Sequence, residues 1–244
     1  MTDKVHQVQP APQVKSKSLD TKWGKLIVKA RPNLSGIDYG EQDFARGIRA
    51  NVRSLWEGYM SIFDFVDTMI FTIRRGFTRA WYEAIREFGY KPEDMTVDEM
   101  RQLTGEINSQ IPYIMPFANA IFENNRASGG KINPLLSRAE MWSNNYQRIK
   151  GIARLTIADN PKLQWVIGPT EMHCSDCSRL NERVYRAQTW QKYGLFPRSR
   201  DLECNGVKCL CEFLPTDLPC TPGRPPSLAS QPITGWLPFG SVGF

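Results

Sequence analysis

Five of the six cysteines in this 244-residue chain lie between positions 174 and 211. They form two short knuckles: Cys174 and Cys177 in H-C-S-D-C, then Cys204, Cys209 and Cys211 in L-E-C-N-G-V-K-C-L-C. Two thiolates at C-x2-C spacing grip one ion from a single turn, and a closed tetrahedral site needs four ligands at about 2.0–2.3 Å. Cys174 and Cys177 supply two, and Cys204 with one or both of Cys209 and Cys211 supplies the rest. Asn205-Gly206 is a tight-turn pair that folds Cys204 back towards Cys209. Cys209 and Cys211 alternate, so on a strand both point the same way, and spacing leaves open which one binds. The expected cofactor is therefore a structural Zn2+ ion held by ligands drawn from Cys174, Cys177, Cys204, Cys209 and Cys211.

Other chemistries fit these residues less well. The N-terminal stretch MTDKVHQVQPAPQVKSKSLDTK has no apolar core of a secretory signal, which places the thiols in a reducing compartment where metal binding wins over disulfides. Bridges between adjacent knuckle cysteines are also strained. His173 is an alternative ligand, but Cys174 beside it competes for the same geometry, and the second histidine, His6, lies in the N-terminal arm. A redox reading of C-S-D-C needs a surrounding βαβ pattern, which is missing. A catalytic zinc keeps an open position and recruits an acid or base. The chain has no phosphate-cradling glycine loop, no Ser/His/Asp arrangement and no paired carboxylates. Glu93, Asp94, Asp98 and Glu99 sit at a helix start, where they favour the dipole. No catalytic residue and no enzymatic activity are expected.

The elements that must position the knuckles read as mainly α with a small β part. Ser54-x-x-Glu57, Ser61-x-x-Asp64, Thr96-x-x-Glu99 and Ser137-x-x-Glu140 each resemble a capping box. The pattern predicts helices near 42–57, 61–88, 96–124 and 137–159. In the second, Ile62, Val66, Met69, Ile73, Phe77, Ala80, Ala84 and Phe88 form a helical stripe, with Arg75, Arg79 and Arg86 on the back face. Phe63, Phe71, Trp81 and Ile85 fall outside that stripe, so this helix is expected to be covered on more than one side. Pro112 and Pro116 predict a break in the third helix, ending near Ser109 and resuming at Pro116. Residues 127–134 read as a loop. Trp142, Tyr146, Ile149, Ala153 and Thr156 share one side of the fourth helix, which ends at Asn160-Pro161. Lys162 to Ile167 read as a strand leading into the first knuckle, and Leu210 to Leu214 as the returning strand.

These elements predict a flexible, extended N-terminal arm at 1–40, a helical body at 41–160, a zinc-stapled β-lobe at 161–218 and an extended tail at 219–244. The tail carries Trp236, Phe239 and Phe244 as isolated aromatics suited to a groove on another molecule. The hydrophobic content of 41% and the net charge of +6 are ordinary for a soluble protein. The longest apolar run, Met60 to Ile73, is interrupted by Asp64 and Asp67 and is too short for a bilayer, so no membrane contact is expected. Arg126, Lys131, Arg138, Arg148, Lys150 and Arg154 face only Glu140, a stripe that could meet DNA phosphates or an acidic protein rim. Arg179, Arg183 and Lys208 in the lobe are further candidates for such a contact.

The stretches LLSRAEMW, YQRI, WVIGPTEMHCSDCSRLNERVYRAQTW and PRSRDLECNGVKCLCEFLPTD resemble the head morphogenesis, or minor head, proteins of tailed bacteriophages (Mu F-like). The resemblance is most specific over Trp165 to Asp217, and looser over ARGIRANVRSLWEGYMSIFDF and RRGFTRAWYEA. Family members end in a C-x2-C knuckle, a short insert and an H-P-x-C-x-C element. Cys174 and Cys177 match the knuckle, and Cys209 and Cys211 match the C-x-C. The family histidine is absent, and Cys204 stands in about its place, which keeps a soft zinc ligand but leaves the ligand order open. The resemblance implies a low-copy structural protein of the virion, assembled in the host cytoplasm. Its implied partners are portal, capsid or neck subunits, in several copies within a symmetric assembly. The rival readings are a zinc protein that contacts packaged DNA and a metal-dependent hydrolase.

Overall fold

Side-chain caps fix where two of the long helices begin. The computed structural model describes residues 40–169, 173–206 and 209–228. Helix α1 runs Glu41–Trp56 and α2 Ile62–Arg86. Ser61 accepts from the Asp64 amide at 3.1 Å, and the Asp64 carboxylate accepts from the Ser61 amide at 3.3 Å. The same reciprocal box, Thr96 with Glu99, starts α3 at Val97–Asn108. A short 3-10 turn at Ile111–Tyr113 carries Pro112, and α4 follows at Ile114–Glu123. The expected break is there, but the helix resumes two residues before Pro116. Proline is tolerated in a first turn because its missing N–H has no partner to lose.

The same tolerance corrects the fourth helix. Helix α5 runs Ile132–Thr156, so it begins within the segment read as a loop, with Pro134 in its first turn, and stops short of residue 159. Ser137-x-x-Glu140 consequently lies inside α5, and Ser54-x-x-Glu57 lies at the end of α1, where Glu57 is the C-cap. Neither is a capping box. The four-residue pattern is local, and packing decided both boundaries.

Antiparallel neighbours α2 and α5 flank α1. Phe44, Ile48, Val52 and Leu55 form its buried face, and the Phe44 ring meets Phe77 at 6.0 Å and Tyr146 at 5.8 Å between centroids. A Cβ at Gly76 would come within 2.2 Å of the Phe44 ring, so glycine is what lets α1 and α2 close. The wide apolar arc of α2 is covered in part. Trp81 and Ile85 are buried within this chain, whereas Phe63 and Phe71 stay 76% and 62% exposed. Arg79 is not on an open back face: it is buried and paired to Glu83 at 3.1 Å.

The C-terminal part is a three-stranded antiparallel sheet in the order β2-β1-β3. Its strands are β1 Lys162–Val166, β2 Val184–Arg186 and β3 Glu212–Pro215. Strand β1 pairs Leu163 with Tyr185 on one side and Trp165 with Phe213 on the other. Two six-residue helices, α6 Ser175–Leu180 and α7 Ala187–Lys192, complete it. These and β2 have no counterpart in the sequence reading, because each is shorter than one clear period. Trp165, Trp190, Phe213 and Tyr185 stack as a cluster with centroids 5.0–5.8 Å apart. The Trp190 indole donates to the Leu163 carbonyl at 3.0 Å. Beyond β3, the Thr221 amide donates to the Val184 carbonyl at 2.8 Å and the Val184 amide donates to the Thr221 hydroxyl at 3.0 Å. Thr221 thus sits beside β2, and residues 219–228 have no helix or strand. The N-terminal arm through residue 39, and the tail from 229 with Trp236, Phe239 and Phe244, lie outside the described residues. Among the described residues no helix is long and apolar enough to cross a membrane.

Arg154 ties α5 to this sheet. Its guanidinium, 3% exposed, donates to both Glu87 carboxylate oxygens at 2.6 and 2.7 Å and to the Phe213 carbonyl. Burial alone would raise the Glu87 pKa, but the hydrogen bonds and charge of Arg154, with Lys150 beside it, hold that carboxyl below the ordinary range.

Candidate metal centre

Each knuckle is shaped before any ion is considered. Cys174 is the N-cap of α6, its sulfur accepting from the Cys177 amide at 3.4 Å. Asn205 and Gly206 both take left-handed φ, 50° and 70°, which makes the turn after Cys204 as the Asn-Gly pair leads one to expect. A Cβ on Gly206 would lie 2.3 Å from the Arg198 carbonyl oxygen. Gly168, just past β1, has the same role against the C-x-C element, where a Cβ would meet the Leu210 Cβ at 2.3 Å. The chain thus passes the sulfurs with no room to spare.

The two knuckles are sewn to each other by polar side chains between the cysteines. Glu203 accepts from the Ser175 amide and hydroxyl, both at 2.7 Å. In return the Glu203 amide donates to the Asp176 carboxylate at 2.9 Å. Asp176 is 1% exposed and is also held by Arg179 at 2.6 Å. A buried carboxylate is costly unless satisfied, and these bonds satisfy it. Asp176, Glu203, Gly168 and Arg198 are absent from the sequence reading. Their closeness to the cysteines in sequence was the only available signal.

All five cysteines singled out by spacing are brought together. The sulfurs of Cys174, Cys177 and Cys204 lie within 4.8 Å of one another, and so do those of Cys177, Cys209 and Cys211. Cys177 belongs to both groups, and its sulfur is 3.8 Å from that of Cys209. Four sulfurs at a zinc–sulfur distance of about 2.3 Å stand about 3.8 Å apart at the corners of a tetrahedron. The donor set therefore suits one soft tetrahedral ion, and the cluster could hold a metal. Cys177, Cys209 and Cys211 are buried, while Cys174 and Cys204 are half-buried; none is in a disulfide. His173 joins neither group.

The hydrogen bond with Cys177 lowers the Cys204 and Cys211 thiols, but the bond with Cys209, burial and the charge of Cys209 outweigh it and raise both. Cys209 is held far below the ordinary thiol range, first by its hydrogen bond with Cys177 and then by those with Cys204 and Cys211. Cys177 is correspondingly pushed far up by its bonds with Cys204, Cys209 and Cys211. The sixth cysteine, Cys220, is exposed and stands apart.

The basic stripe over residues 126–154 turns largely inward. Arg148 pairs with Glu106 at 2.5 Å, Lys150 with Glu87 at 3.4 Å, and Arg154 with Glu87. Arg138 lies 5.1 Å from the Phe117 ring centre. Arg126 and Lys131 remain as its exposed members. In the lobe, Arg179 is engaged with Asp176, Arg183 is exposed, and Lys208 lies outside the described residues. Compared with known proteins, the chain matches no family model, no curated protein and no solved structure.

Proposed function

We propose that the chain is a minor structural protein of a tailed-phage head, acting through protein contacts, whose C-terminal lobe is closed by one structural zinc ion. The observation that carries the metal reading is the convergence of five thiols on Cys177, two of them at the spacing of a tetrahedral edge. Cys177 is common to both sulfur groups, with Cys174 and Cys204 on one side and Cys209 and Cys211 on the other. Zinc, when bound, supplies a cross-link between the two knuckles and no reaction. The donor set contains only sulfur and no histidine, which suits a closed site rather than one with an open position for water.

The assignment to a virion rests on the resemblance over Trp165 to Asp217, and the sulfur geometry is consistent with the element that carries it. Apolar surface for contact with portal, capsid or neck subunits is available at Tyr59, Phe63 and Phe71, each more than 60% exposed. The inward turn of the basic stripe weakens the DNA-contact alternative. The test is joint: zinc content of the purified full chain, and its location in assembled particles by labelled-particle imaging. One zinc per chain and a position at the portal or inner capsid are expected. A chain with zinc that never enters particles would leave the metal reading standing and remove the virion one.

A further inference from the structure

Arg198 is a buried cation without an ordinary partner. It is 8% exposed, and among the described residues no carboxylate lies within ion-pair distance of it. Its backbone takes φ 62°, a left-handed conformation unusual for a long side chain. Two main-chain carbonyls receive its guanidinium: Cys211 at 3.3 Å from Nε, and Asn144 of α5 at 3.1 Å from Nη1. Carbonyl dipoles satisfy its N–H groups but do not neutralise its charge. A buried, uncompensated guanidinium is expensive, so a negative charge close by is required. The guanidinium is held against the backbone of Cys211, one of the residues whose sulfurs form the cluster. Burial lowers the Arg198 pKa, and the surrounding negative charges of Cys209, Glu41, Glu212 and Cys211 oppose that.

We propose that Arg198 is the counter-ion of the metal centre. Four thiolates around a divalent ion leave two excess negative charges in a buried lobe, and the guanidinium held against the Cys211 carbonyl balances part of that excess. Its second hydrogen bond, to Asn144, anchors the same charge on the helical body, so that filling the site and seating the lobe on α5 favour each other. The inference rests on the zinc reading above and adds a requirement to it: metal affinity depends on a positive charge at position 198, not only on the packing there.

The test compares zinc affinity of the full chain, by competition with a chromophoric chelator, for the wild type, Arg198→Gln and Arg198→Lys. Gln keeps hydrogen-bonding capacity without charge, whereas Lys keeps charge and loses the planar fork. Outer-shell partners of metal sites typically tune affinity by about 10–100-fold, and a loss in that range is expected for Arg198→Gln while Arg198→Lys keeps most of the wild-type affinity. Equal losses in both variants, or none in Arg198→Gln, would overturn the counter-ion role. Should Arg198→Gln not fold, Arg198→Lys decides alone: a large loss of affinity with the charge preserved contradicts the proposal. A wild-type chain that binds no zinc removes both this inference and the reading it rests on.

Discussion

The helical body encloses a cluster of twenty-six buried hydrophobic residues, whereas the cluster in the lobe has thirteen, three of them cysteines and one, Leu155, contributed by α5. The body uses helices of up to twenty-five residues, two of them, α2 and α3, with reciprocal caps; the helices of the lobe have six. A small unit with so little apolar surface to bury rarely holds itself together without a cross-link. On the zinc reading, the contrast teaches that the same chain is stabilised in two ways: by burial where helices are long, and by a metal cross-link added to a smaller core where the elements are short. Arg154 is where the two meet, since its guanidinium serves Glu87 on one side and the Phe213 carbonyl on the other.

The sharpest way to break this contrast is to remove the metal. Structural zinc contributes on the order of 10 kcal/mol to folding in small zinc modules. Chelation or Cys177→Ser should therefore abolish the near-ultraviolet signal from Trp165 and Trp190 and the amide protection of β1. The far-ultraviolet helical signal should largely remain. If the whole chain unfolds together, the body does not stand by burial alone. If one zinc draws on five thiols for four positions, Cys174→Ser and Cys211→Ser should each retain one zinc with weakened affinity, read by metal titration.

Next in size is the junction. Arg154→Met deprives the Phe213 carbonyl of its guanidinium donor and leaves Glu87 with Lys150 alone, with an expected loss of about 2–3 kcal/mol in denaturant unfolding, kept modest by that second cation and the partial exposure of Glu87. Its pH dependence follows from the depressed Glu87 carboxyl. A carboxyl lowered on folding contributes stability above its unfolded value, and that contribution is lost as pH falls through the folded value. Wild-type stability should therefore drop in acid, below about pH 4.5, and Arg154→Met should flatten that part of the curve. Within the body, Gly76→Ala drives a methyl against Phe44 and should cost about 1–3 kcal/mol. Thr96→Ala removes a cap and should cost about 1 kcal/mol without touching the lobe or its zinc.

What could be read beforehand follows the same division. The apolar stripe of α2, the caps at Ser61 and Thr96 and the proline break at Pro112 are local signals with direct physical causes, and they predict the helical architecture. The start of α5 was misplaced because Pro134 looks the same whether it ends a loop or opens a helix. The lobe was legible through its cysteines and the strands β1 and β3, whereas β2 and the two short helices carry no period to detect. Arg198 was invisible for another reason. Nothing in P-R-S-R marks a residue that will be buried against Cys211 and Asn144, and its importance arises only from contacts across 13 and 54 residues of sequence.

The most direct measurement is elemental analysis of the purified full chain under reducing conditions, paired with the absorption of its cobalt(II)-substituted form. The account predicts one zinc per chain and a spectrum of tetrahedral thiolate ligation. A metal-free chain with its lobe intact, or thiols recovered as oxidised pairs, would contradict it.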